Sequence, residues 1–127
     1  MKILITGSSG YLGGRLSKYL SHSYKLRTAS RKFKRFDKND NGNIEKYEID
    51  WTSLKSIEKS LDGIDIVIHL AGLNAKNCEQ NPLKAEDVNV HNTKKIVELS
   101  IKKGIKKFIY LSTAHVYSNP LEGVITE

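Results

Sequence analysis

The sequence has one cysteine, Cys78, so no disulfide can close within the chain. That fits a reducing compartment, and a cytoplasmic location is the expectation. Long apolar runs are also missing. The first, Lys2-Ile3-Leu4-Ile5, gives way at once to Thr6-Gly7 and is too short for a signal-peptide core. No stretch approaches the length of a membrane span, so no membrane partner is expected. There is no internal repeat, no low-complexity tract and no linker, and 127 residues suit a single domain over 1–127. His22, His91 and His115 form no ligand cluster with Cys78, so no metal site is expected. Acids are the scarcer charge, 14 against 21 Lys+Arg, for a net +7. Such a surplus attracts polyanions. The cations are scattered, however, in groups such as Lys94/Lys95, Lys102/Lys103 and Lys106/Lys107, with no recognition helix or stacking aromatic platform beside them. They read as solvated helix ends and loops, not as a nucleic-acid surface.

What is present starts with the amino terminus. The short apolar run flows into Thr6-Gly7-Ser8-Ser9-Gly10-Tyr11-Leu12-Gly13. A buried strand that ends in closely spaced glycines and then becomes a helix is suited to holding a phosphate. The glycines let the backbone turn tightly and approach an anion with no Cβ in the way. The N–H groups that open the helix, and its positive dipole end, then face that anion.

The rest of the chain alternates. Leu12, Leu16, Tyr19 and Leu20 recur at helical spacing, predicting a helix over roughly 10–21. Leu26 to Ala29 reads as a second strand, and Asn39-Asp40-Asn41-Gly42-Asn43 as a loop. Ile44 to Ile49 alternates as a third strand. Thr52 or Ser53 caps a helix carrying Leu54, Ile57 and Leu61, which Gly63 stops. Ile64 to Leu70 is nearly all apolar, as a strand covered on both faces must be. Asn81-Pro82 starts a long helix that stops at Gly104, and Phe108 to Leu111 is a fifth strand. Repeated strand-helix alternation predicts an α/β protein with a doubly wound parallel sheet of about five strands.

Four later pieces follow the glycine turn in a recognisable order: Asp50-Trp51, His69-Leu70-Ala71-Gly72, Asn89, and Leu111-Ser112-Thr113-Ala114-His115-Val116-Tyr117. With them the chain resembles the nucleotide-sugar epimerase/dehydratase branch of the extended short-chain dehydrogenase/reductase family, over essentially its whole length. The resemblance implies a Rossmann-type domain that binds NADP or NAD. Gly7, Gly10 and Gly13 would shape the pyrophosphate turn, with the N–H groups of Tyr11 and Leu12 pointing at the phosphates. Asp50 would accept from the adenine amino group, with the Trp51 backbone against the ring. Leu70, Ala71 and Gly72 would pass beside the ribose and phosphates, Asn89 would steady the sheet edge near the nicotinamide, and Thr113 would bond the reacting oxygen of a substrate. Family members that use NAD usually end the second strand with an Asp. Here Ser30 stands there, followed by Arg31 and Lys32, which offer a 2′-phosphate a hydroxyl and two cations and favour NADP(H).

The family's catalytic Tyr-x-x-x-Lys pair is absent: none of the six tyrosines has a lysine four residues on. The chain therefore looks like the amino-terminal cofactor-binding part of a longer enzyme, cut before the catalytic helix and the substrate domain. It is expected to bind a dinucleotide, to meet a nucleotide sugar only with the missing part supplied, and to be inactive alone. An incomplete sheet leaves apolar surface open, so self-association into a homo-oligomer is expected. A non-catalytic NADP-binding or redox-sensing module is the alternative. A further rival is local: Asp37 to Glu48 satisfies the EF-hand loop pattern, with oxygen ligands at loop positions one, three and five, Gly42 at six and Glu48 at twelve. Flanking helices are not expected there, which favours a hydrophilic crossover loop. His69 reads as packing with a satisfied ring nitrogen.

Overall fold

A computed structural model describes residues 1–33, 42–112 and 123. Five strands, β1 (Lys2–Thr6), β2 (Lys25–Ser30), β3 (Ile44–Glu48), β4 (Ile66–His69) and β5 (Lys107–Tyr110), form one sheet in the order β3-β2-β1-β4-β5. Every pairing is parallel; Ile3 lies opposite Leu26 on one side and Ile66 on the other. The strand order reverses between β1 and β4, the point at which open α/β sheets leave a crevice at their carboxyl ends.

Alternation along the strands sorts the core into two layers. Ile3, Ile5, Leu26 and Ile68 point to one face, where Leu16 and Leu20 of helix α1 (Tyr11–Leu20) cover them. Leu4, Ala29 and Val67 point to the other. There they meet Ile57 of helix α2 (Leu54–Ser60) with the neighbouring Leu61, and Ile96 and Leu99 of helix α5 (Asn92–Lys102). The doubly wound sheet expected from the sequence is thus observed.

Buried Arg27 on β2 closes the α2 end of this layer. Its guanidinium donates to the carbonyls of Lys59, Ser60 and Asp62 at 3.2, 2.9 and 2.9 Å and pairs with Glu45 on β3. They lie at and just past the end of α2, where a helix leaves carbonyls without an intrahelical donor; the Lys59 carbonyl also accepts from Asp62 N at 3.3 Å.

Two elements differ from expectation. A six-residue helix α3 (Ala75–Gln80) follows β4, capped by the Asn74 side chain, which accepts from Asn77 N at 2.9 Å. The long helix expected from Pro82 is divided: α4 (Pro82–Glu86), a π-helical turn (Asp87–His91), then α5. Its predicted stop stands, with α5 ending ahead of Gly104.

Candidate functional site

The carboxyl ends of β1, β2 and β4, with the segment after β3, open onto a cleft of about 820 Å³. The glycine turn forms its floor. Gly7 leaves β1 at φ +68°, and a Cβ added there would stand 2.7 Å from the carbonyl atoms of Leu70 and 2.8 Å from Ala71 N. Only a residue without a side chain allows the two backbones this approach. A Cβ on Gly13 would run into the Gly7 carbonyl and come within 2.8 Å of Ser8 Cα, so α1 packs on the turn from which it springs.

Gly10, the N-cap of α1, supplies no side-chain acceptor, and the first turn holds no acid. Helices α2, α3 and α4 by contrast receive caps from Ser53, Asn74 and Asn81. The first-turn N–H groups of α1 are thus left without a side-chain partner at the mouth of a cleft, where the helix dipole favours an anion. A dinucleotide pyrophosphate fits these residues on two grounds: a backbone turn kept tight by glycines at which a Cβ is excluded, Gly7 and Gly13, and first-turn donors with no side-chain cap among the described residues.

The turn is tied to the end of β2. Ser8 donates to the Ala29 carbonyl from its backbone N at 3.3 Å and from Oγ at 3.2 Å. Ser30 Oγ donates to the Lys32 carbonyl at 3.2 Å, so in the 2.6 Å pair between Ser9 and Ser30 the hydroxyl proton comes from Ser9. Arg31 lines the cleft beside them, whereas Lys32 is exposed and lies off its wall.

On the far side of β2, Asp50 Oδ1 accepts from Thr52 Oγ1 at 2.6 Å and from Thr52 N at 2.9 Å. These two bonds, the hydroxyl's foremost, hold the Asp50 carboxyl below the usual range. Oδ2 accepts no hydrogen bond among the described residues and remains available to a ligand donor. Trp51 adjoins it, its ring set edge-on to that of His69 at 5.7 Å between centroids.

Beneath the cleft a polar relay crosses three elements. Thr6 Oγ1 accepts from the backbone N of Leu70 and Ala71 at 3.2 and 3.3 Å. Its lone pairs being used, its proton goes to His69 Nδ1 at 2.7 Å, and His69 Nε2–H donates to Thr93 Oγ1 at 3.1 Å. His69 is 1% exposed. Burial pushes its pKa down to about 4, so the ring is neutral at physiological pH and serves as a strut. Asn89, in the π-helical turn, completes the support: its Oδ1 accepts from Leu73 N at 2.7 Å, and its Nδ2 donates to the Leu73 carbonyl at 3.3 Å and to Cys78 Sγ at 3.4 Å. The extra residue of a π-turn displaces side chains relative to an α-helix, and such turns recur at functional sites.

The cleft therefore gathers Gly7, Gly10, Ser30, Arg31, Asp50, Trp51, Leu70, Ala71 and Gly72 from the positions expected. Gly13 and Asn89 stand behind its wall. Tyr11, 81% exposed, and Leu12, 47% exposed, turn their side chains elsewhere, Tyr11 beneath the Arg15 guanidinium at 5.5 Å. Thr113 lies outside the described residues. Sequence reasoning missed Ser9, Thr52, Asp87, Val88, Asn92 and Lys95, which also line the cleft. A polar residue inside the glycine motif was the one available signal, and it pointed to Ser9.

The EF-hand match fares differently. Positions 37–41 lie outside the described residues, but Ile44–Glu48 is strand β3, hydrogen-bonded to β2, where an exiting helix would have to start. Glu45, at loop position nine, is engaged by Lys2 and Arg27. Among the described residues no group of three or more His, Cys, Asp or Glu is placed to hold a metal ion. No helix among them is long and apolar enough to cross a membrane.

A parallel sheet wound on both faces, with a glycine-floored cleft at its switch point, defines a Rossmann-like nucleotide-binding fold. The chain belongs to the NAD dependent epimerase/dehydratase family, whose model matches residues 3–127. It is 31% identical over 139 residues to a UDP-glucose 4-epimerase of Cyamopsis tetragonoloba, covering 98% of this chain and 40% of the relative. An inverting UDP-N-acetylglucosamine 4,6-dehydratase of Campylobacter jejuni is 29% identical over 119 residues, covering 87% and 36%. The crystal structure of a UDP-glucose 4-epimerase from Thermotoga maritima with UDP-glucose superposes with a TM-score of 0.83 at 27% identity, covering 99% and 42%. The chain thus spans from 36% to 42% of the length of these three proteins.

Proposed function

We propose that the chain is the dinucleotide-binding portion of an NAD(P)-dependent enzyme that epimerises, dehydrates or reduces a nucleotide sugar, and that it prefers NADP(H). One observation carries the reading: a turn that tolerates no Cβ at Gly7 or Gly13 borders a cleft of about 820 Å³ and delivers the uncapped start of α1 to it. Bound there, a nicotinamide dinucleotide would supply hydride transfer. The chain's own residues orient it. Gly7 and Gly10 keep the floor open and the Tyr11 and Leu12 N–H groups face the pyrophosphate. Asp50 Oδ2 receives the adenine amino group, with the Trp51 backbone at the ring. Leu70, Ala71 and Gly72, held by Thr6 and Asn89, form the opposite wall beside the ribose. Ser30 and Arg31 take a 2′-phosphate, since a hydroxyl and a guanidinium at the end of β2 suit that group and the carboxylate typical of NAD users is absent. Thr113, with a Tyr and a Lys that this chain does not carry as Tyr-x-x-x-Lys, would serve the sugar. These 127 residues are accordingly expected to bind cofactor without turning over substrate.

Calorimetric titration with NADPH, NADH and ADP-ribose tests this. All three should bind, NADPH most tightly. A valine at Gly10 places its Cβ 3.2 Å from the Gly7 carbonyl, so the turn must give by a few tenths of an ångström, and it adds two methyl groups to a residue that lines the cleft. Gly10→Val should abolish binding, with its urea unfolding transition showing that the variant still folds. Undiminished affinity in that variant refutes the site, NADH binding more tightly than NADPH refutes the preference, and sustained turnover of a UDP-sugar by the chain alone refutes the assignment as a binding portion.

A further inference from the structure

Lys95 is the cleft residue least explained by the reading above. It stands on α5, half-buried, and its Nζ donates to Asn92 Oδ1 at 3.2 Å. No carboxylate lies within ion-pair distance of it among the described residues, although Asp50 and Asp87 line the same cleft. Its one acceptor among the described residues is the neutral amide oxygen of Asn92, which leaves two of the three ammonium donors for a ligand acceptor in the cleft.

The place of Lys95 indicates which acceptor. Val88, Asn92 and Lys95 follow one another at helical spacing and line the cleft, and Leu99, one turn beyond Lys95 on this side, packs in the core with Ile57 of α2 and the neighbouring Leu61. The flank of α5 that carries Lys95 is therefore turned towards α2. The residues leading into α2 are Asp50, Trp51 and Thr52, which line the same cleft. The other lining cation, Arg31, stands at the end of β2. The cleft thus has one lining cation, Arg31, at the end of β2 and another, Lys95, on the flank of α5 that faces α2, the helix Asp50 leads into.

Resting on the dinucleotide reading, we propose that Lys95 is a specificity-determining residue that reads adenine together with Asp50. Adenine presents an amino donor next to a ring-nitrogen acceptor along its edge. Asp50 Oδ2 accepts from the amino group, and the Lys95 ammonium donates to N1. Hypoxanthine carries an oxygen where adenine has the amino group and a hydrogen on N1, which sets an acceptor against the carboxylate and a donor against the ammonium. The pair therefore selects against it, since a charged partner left facing the wrong group is costly.

The test titrates AMP, IMP and ADP-ribose into the full chain, the Lys95→Met variant and the Lys95→Gln variant, following binding by calorimetry or by amide chemical shifts. Wild type should bind AMP at least about fivefold tighter than IMP. Lys95→Met should weaken AMP and ADP-ribose equally, by about tenfold, while IMP stays within about twofold. Lys95→Gln, which keeps a neutral donor, should fall between the two and guards against a variant that fails to fold. AMP and IMP carry the same phosphate, so an equal loss for both in either variant assigns Lys95 to phosphate and overturns the proposal. Unchanged AMP affinity, or no preference for AMP in wild type, overturns it as well. Failure of wild type to bind ADP-ribose overturns the dinucleotide reading itself, a result visible without any variant.

Discussion

Acidifying the protein from pH 7 towards 4 should cost it stability through one side chain. His69 titrates near 6.5 in an unfolded chain and near 4 when buried between Thr6 and Thr93. The unfolded state therefore takes up a proton first. The stabilisation from the neutral ring is complete above pH 6.5 and drains away as pH falls towards 4. A gap of about 2.5 pH units corresponds to about 3 kcal/mol, of which about 2.5 kcal/mol is gone by pH 4.5. The carboxyls of Glu45, Asp50, Asp62 and Asp65 are all held below their ordinary values of 4.5 or 3.8, so their contributions are lost only under more acid conditions. The interval from pH 6.5 to 4.5 isolates the histidine. Urea unfolding at half-unit pH steps, followed by the fluorescence of the single tryptophan, Trp51, measures this directly. The midpoint should fall steeply for wild type and remain nearly level over that interval for His69→Gln, which starts lower but has no proton to accept. A wild-type loss below about 1 kcal/mol between pH 6.5 and 4.5, or the same slope in the variant, refutes the buried neutral strut.

Three further outcomes are expected. Arg27→Met leaves the carbonyls of Ser60 and Asp62 without the guanidinium, the Lys59 carbonyl keeping Asp62 N, and should lower stability by about 2 kcal/mol in urea unfolding, whereas Glu45→Gln, at a half-exposed position, should cost under about 1 kcal/mol. Gly13→Ala forces α1 off the turn and should cost about 1–3 kcal/mol along with most of the ADP-ribose affinity, measured by calorimetry on the refolded variant. Asn89→Leu strands Leu73 N and its carbonyl, and should weaken ADP-ribose about tenfold with little change in fluorescence at Trp51.

The strands were legible because their residues report directly on burial. Ile64 to Leu70 could be nearly all apolar only with cover on both faces, and β4 has it. The glycine turn was equally legible, since a Cβ is excluded at Gly7 whatever the neighbours. Helix α3 was not: Ala75–Gln80 buries no residue, so no apolar spacing marks it, and the Asn74 cap was its only sign. The π-turn left no sign at all, because one extra residue per turn shifts register without changing composition. At the site, the motif residues were found, Ser9 inside the glycine turn and Thr52 beside Asp50-Trp51 being missed, and residues brought there by packing were not. Lys95 reaches the cleft through the docking of α5 on the sheet, and nothing near it in sequence mentions the glycines. Lys32 shows the converse, a cation next to the right strand end that lies off the wall.

The central place of β1 has a consequence for synthesis on the ribosome. β1 is made first, but one of its two edges waits for Ile66 to His69, so Ile3 and Ile66 meet across more than sixty residues of chain. At roughly 5–20 residues per second the nascent protein spends several seconds with its central strand half-paired. During that interval a passing hydrophobic segment, or a chaperone, competes for the vacancy that β4 will fill.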